Sequence, residues 1–158
     1  MKYLGLALLV LAAWLIASAY RRALRLRASA LEGVVSLARY AYSRVSEHLE
    51  PPAVWAAGYQ TDNPALSELL GLVRGGRAPT EALSLSAEGL MLSRESRELA
   101  YGFFDELGSL GASASRAGRS LEALEARLLS EREECEERGR VVAVMALMLS
   151  ASGAILII

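Results

Sequence analysis

Two uncharged apolar runs, residues 3–20 and 141–158, bracket this chain, and any fold must place both where apolar side chains are tolerated. At 1.5 Å per residue a helix of about 18 residues spans roughly 27 Å, the lower end of what a bilayer core requires. The runs therefore predict two transmembrane helices, 1–20 and 141–158, with a single domain over 21–140 between them. The composition agrees, since 53% of the 158 residues are hydrophobic.

Arginine sets the expected orientation. Arg21, Arg22, Arg25 and Arg27 follow the first run, and Arg132, Arg138 and Arg140 precede the second. Basic residues near membrane ends favour the cytoplasmic side, so both ends of the chain are expected outside and residues 21–140 in the cytoplasm. The alternative starts from Ala17-Ser18-Ala19, a small-x-small pattern that signal peptidase cuts. Cleavage after Ala19 would yield an exported helical protein held by a carboxyl-terminal anchor. It would also force four arginines across the membrane directly behind the cut, and only Lys2 precedes the apolar run. In a retained anchor the same small residues let helices approach closely.

Between the runs the pattern is helical throughout, with no useful period-two alternation. Leu24, Leu31, Val34, Val35, Ala38, Tyr42, Val45 and Leu49 form one stripe, ended by Pro51-Pro52. After an irregular stretch, Asn63 and Pro64 read as an N-cap and first helical residue, followed by Leu66, Leu69, Leu70 and Val73. Gly75-Gly76 stops that helix. The next starts near Pro79 and turns Leu83, Ala87 and Leu90 inward. Ser93 caps another, with Leu99, Phe103 and Leu107 as its buried face and Glu95 in its first turn. Gly108 and Gly111 mark a break. From about Ala112 the residues Ala114, Ala117, Leu121, Leu124 and Leu128 announce a long helix that runs on into the second membrane span. The fold class is thus all-α, a helical bundle between two transmembrane helices.

Chemistry-bearing residues are sparse. A net charge of −1 from 17 basic and 18 acidic residues recommends no nucleic acid partner. Cys135 is the single cysteine, which rules out an internal disulfide and a multi-cysteine zinc site. His48, the single histidine, suits the carboxyl end of a helix better than a metal or catalytic role. Asp62 and Asp105 do not suggest an acid-base pair. The segment "RGGR" at 74–77 lacks the lysine and hydroxyl residue of a phosphate-binding loop. "EREECEERGR" reads as a solvated stalk laced by spacing-four pairs, Arg132 with Glu136, Glu134 with Arg138 and Glu136 with Arg140. Its acidic side also offers a docking surface to a basic partner. Trp55 and Tyr59 are expected to pack a loop on the bundle or to lie near the membrane surface. Ser150, Ser152 and Gly153 offer close packing within one chain or between chains of an oligomer. No catalytic, cofactor or metal residue is expected, which disfavours a membrane-anchored enzyme.

The opening "MKYLGLALLVLAAWLIASAY", the glycine pair in "FFDELGSLGAS", the helix "SLEALEARLLSEREECEERGR" and the closing "AILII" together resemble the stage III sporulation protein AB family. The specific part of the resemblance lies from Phe103 onward. There Phe104, Leu107, Gly108, Leu110 and Gly111 match the family's phenylalanine and two leucine-glycine pairs. Ala114 and Arg119 stand where the family commonly has an aspartate and a glutamine, and nothing near Ala82 matches a tryptophan often found mid-domain. The resemblance implies a non-enzymatic scaffold of the channel complex between mother cell and forespore. It places the protein in the outer forespore membrane, with a cytoplasmic helical domain similar to that of the type II secretion F protein. That domain would dock a secretion-type ATPase, the companion stage III sporulation protein AA, alongside other channel subunits. The five matched residues are the protein-interaction candidates.

Overall fold

The computed structural model describes residues 2–109 and 114–155, the outer ends of the first and last helices by backbone alone. The described residues form six α-helices and no strand: α1 (Lys2–His48), α2 (Pro52–Gly58), α3 (Pro64–Arg74), α4 (Pro79–Ser86), α5 (Arg94–Gly108) and α6 (Ala114–Ile155). The all-α class read from the sequence is the class observed. Among the described residues no helix is long and apolar enough to cross a membrane. The spans expected over 1–20 and 141–158 draw part of their length from residues outside that description.

The chain divides into two compact units, Met1–Ala28 with Glu133–Ile158, and Ser29–Arg132. The sequence division expected at 20/21 and 140/141 follows the ends of the apolar runs. The units are bounded at 28/29 and 132/133, and Leu24 and Cys135 are buried residues of the first.

The second unit carries the core. Its buried residues run from Leu31 to Leu128 and draw on every helix. α1 supplies Leu31, Val34, Val35, Leu37, Ala38, Ala41 and Val45, which recur at the three- and four-residue spacing of one helix face. Gly33 lets α3 come close, since a Cβ there would lie 2.5 Å from Leu66 Cδ1, and Leu66 is itself fully buried. Leu49 departs from its expected inward place. It adopts φ 53° just past the end of α1, where its N–H reaches the Val45 carbonyl at 3.0 Å, and its side chain is left exposed.

The stretch after Pro51 is a helix rather than an irregular segment. Pro52 occupies the first position of α2, where a missing N–H costs nothing, so the proline pair that ends α1 also starts its successor. α2 buries Trp55 and Ala56. The Trp55 ring stacks on Phe104 with centroids 6.4 Å apart and planes 14° from parallel, and Phe103 meets Phe104 edge-on at 5.1 Å. Trp55 therefore belongs to the core. No side chain caps α2 at its start, but Arg74 closes its far end: Nε donates to the Ala56 carbonyl at 2.9 Å and Nη2 to that of Tyr59 at 3.0 Å.

α3 begins as its sequence predicts, with Asn63 Oδ1 accepting from the Ala65 and Leu66 amides at 3.0 and 3.3 Å. Gly76, at φ 90°, turns the chain away from α3 in a conformation that favours glycine. α4 ends at Ser86, short of the expected Ala87 and Leu90, which stay buried on the turn that follows. We expect Asn63→Ala to lower the unfolding free energy by about 1 kcal/mol and Trp55→Ala by roughly 3–5 kcal/mol. Urea denaturation of the full chain under one set of conditions checks both values.

Candidate functional site

In the first unit the burial pattern of the second is reversed. Its large apolar side chains face outward: Leu11, Trp14, Leu15 and Tyr20 on α1, and Val141, Val144, Met145 and Leu149 on α6, with Ile16 and Leu147 each 71% exposed. Half-buried positions fall instead on residues such as Ala13, Ala17, Ala143 and Ala146. Small residues turned inward and large apolar ones outward are what a helix pair needs when its surroundings are hydrocarbon.

This unit holds a groove of about 330 Å³. One wall is Trp14, Ala17, Ser18 and Arg21, spaced i, i+3, i+4 and i+7 on α1; the other is Ala143, Ala146 and Leu147. Ser18 Oγ donates to its own helix, at the Leu15 carbonyl 2.8 Å away. Among the described residues Arg21, Arg22 and Arg25 have no carboxylate partner; Arg21 is half-buried and the other two are exposed.

Among the described residues of the second unit one carboxylate is buried, Glu131, at 3% exposure. Its Oε1 accepts from the hydroxyls of Ser93 and Ser96 and lies 3.5 Å from Arg127 Nε. Ser93 also caps α5, its Oγ accepting from the Ser96 amide at 3.1 Å, so one hydroxyl links the start of α5 to α6. Arg127 Nη2 reaches Glu95 at 3.1 Å and completes the network. The acidic segment is thus not solvated all round, as its composition suggested: Glu131 and Cys135 are both buried. Of the spacing-four pairs expected there, Glu134 and Arg138 stand 3.8 Å apart. Arg132 reaches Glu32 on α1 at 3.5 Å.

A second groove, about 310 Å³, has Leu31, Val35 and Leu128 in its lining together with Glu32, Arg39 and Arg132. Arg39 makes two bonds to Glu125, at 2.7 and 2.9 Å. Those hydrogen bonds and the Glu125 charge hold its guanidinium above the usual arginine pKa. Arginine is charged at any working pH regardless, so the shift marks a bidentate contact and no titration.

Of the five residues matched to the family pattern, Phe104 and Leu107 are buried in the core and Gly108 is exposed at the end of α5. Leu110 and Gly111 lie outside the described residues. The Phe104 ring packs against Trp55 and Phe103. Asp62 and Asp105 are exposed, and His48 closes α1 beside Glu47, 3.8 Å away. Among the described residues no group of three His, Cys, Asp or Glu side chains is placed to hold a metal ion. The Glu131 network and the Trp14–Arg21 groove were not anticipated. The i, i+3, i+4, i+7 spacing of the groove wall was readable, whereas which glutamate of the acidic segment faces inward depends on where α5 starts.

No family model, curated protein or solved structure matches this chain.

Because the Ser93 and Ser96 hydroxyls converge on Glu131, replacing it with alanine should cost about 1–3 kcal/mol, the range for leaving a buried polar group unsatisfied. The loss should be shared with Ser96→Ala, giving a coupling of about 1 kcal/mol or more in a double-mutant cycle. Additive losses in chemical denaturation would show that Ser96 and Glu131 act separately.

Proposed function

We propose that this chain is a two-span membrane scaffold whose helical unit docks a secretion-type ATPase, the role implied by its resemblance to the stage III sporulation protein AB family. On this reading α1 and α6 enter the membrane through residues 1–20 and 141–158, and the Ser29–Arg132 unit lies in the mother-cell cytoplasm. The companion stage III sporulation protein AA and other subunits of the channel complex are its partners, and no chemistry is catalysed. One observation carries the reading. Large apolar side chains face outward in one unit and inward in the other, which burial in water alone does not account for. The arginines that follow residue 20 and precede residue 141 supply the orientation.

Cys135 is only 4% exposed and makes a poor reporter. A cysteine at Arg94, whose side chain is 94% exposed, suits better. In the double variant Cys135→Ser, Arg94→Cys, a membrane-impermeant maleimide should label permeabilised cells and spare intact ones. Labelling of intact cells would put the helical unit outside and end the scaffold proposal. The mass of the membrane-extracted chain should retain residues 1–19; their loss would favour the cleaved-signal alternative. Full-length protein in detergent should co-elute with the companion ATPase, and failure to do so with and without nucleotide would remove the docking role.

A further inference from the structure

We infer that the groove lined by Trp14, Ala17, Ser18 and Arg21 of α1 and Ala143, Ala146 and Leu147 of α6 is a binding site for one anionic phospholipid, with the phosphate on Arg21 and an acyl chain along the small residues. The inference rests on the membrane reading above and adds to it a specific ligand. Charge and shape jointly select this occupant. The groove is apolar along most of its length and ends at a half-buried arginine with no carboxylate partner among the described residues. A guanidinium at that depth recognises a phosphate through charge-assisted, bidentate bonds, and a phospholipid is the phosphate carrier that also fills the apolar remainder.

The registration also fits. Trp14 and Arg21 stand seven residues apart, about 10 Å along the helix, so a phosphate at Arg21 sets the upper half of an acyl chain beside Trp14. Ala17, Ala143 and Ala146 leave the space; larger side chains there would close it. Arg21 lies just past the apolar run, at the face where anionic lipids give the cytoplasmic leaflet its negative surface potential. Arg22 and Arg25 are exposed and outside the groove, so they contribute attraction without a defined seat.

Trp14 provides the readout. Trp55, the only other tryptophan, is 1% exposed in the core of the second unit and serves as an unquenched background. The full chain is reconstituted in phosphatidylcholine containing increasing phosphatidylglycerol whose sn-2 chain is dibrominated, and in the mirror series with the bromines on phosphatidylcholine. Trp14 should be quenched in both series, with a preference for phosphatidylglycerol of about fivefold, the factor one arginine near an anionic surface supplies. Arg21→Gln should abolish the preference, and so should Ala146→Leu, which fills the groove without touching charge. Arg22→Gln should keep most of it. Equal quenching by the two lipids in the unaltered chain would overturn the lipid site and leave the membrane reading intact. So would a preference that Arg22→Gln removes as fully as Arg21→Gln. Absence of quenching by either lipid would overturn the membrane reading, and the lipid site with it.

Discussion

α1 and α6 each meet two opposite demands along one uninterrupted backbone. At Leu31, Val35 and Ala38 the inward face of α1 is aliphatic and sealed, while at Ile16 and Leu15 of the same helix the aliphatic side chains point out. α6 repeats the change between Leu124 or Leu128 and Leu147 or Met148. A helix has no means of altering its surroundings, and composition alone decides which residues it offers each. Small residues take the inward positions where large apolar ones face out, and large apolar ones take them in the Ser29–Arg132 unit.

The interior of the Ser29–Arg132 unit includes an aromatic contact between the short α2 and the longer α5. Trp55 comes from a seven-residue element that would be marginal alone and is ordered by what it packs on. The polar counterpart is Glu131, whose single oxygen gathers two hydroxyls from α5. The two hydroxyls pair with the buried carboxyl, and their directional bonds fix the register of α5 along α6 more narrowly than aliphatic packing does.

Much of this was legible in the sequence. The caps Asn63 and Ser93, the apolar stripes, the glycine stops and the uninterrupted final helix all rest on local rules, and local rules survive folding. The departures occur where tertiary neighbours decide. Pro51-Pro52 reads as a stop, yet Pro52 also starts α2, whose Trp55 packs into the core. Leu49 continues a stripe by spacing but falls one residue past the helix it belongs to. Glu131 and Cys135 sit in a segment whose composition reads as solvated, and no property of the segment alone marks them as the inward pair. Phe104 lies outside the Leu99, Phe103 and Leu107 stripe read from spacing, and its place in the core depends on Trp55 of α2.

Arg74 ties α2 to α3 in a way that bears on how the unit opens. Its guanidinium occupies the last carbonyls of α2, and its backbone is the final residue of α3. Fraying of α2 gives up both Arg74 bonds together, and lifting it further uncovers Trp55. Opening α2 thus exposes the largest buried side chain it carries, which links the stability of the short helix to the core rather than to its own length.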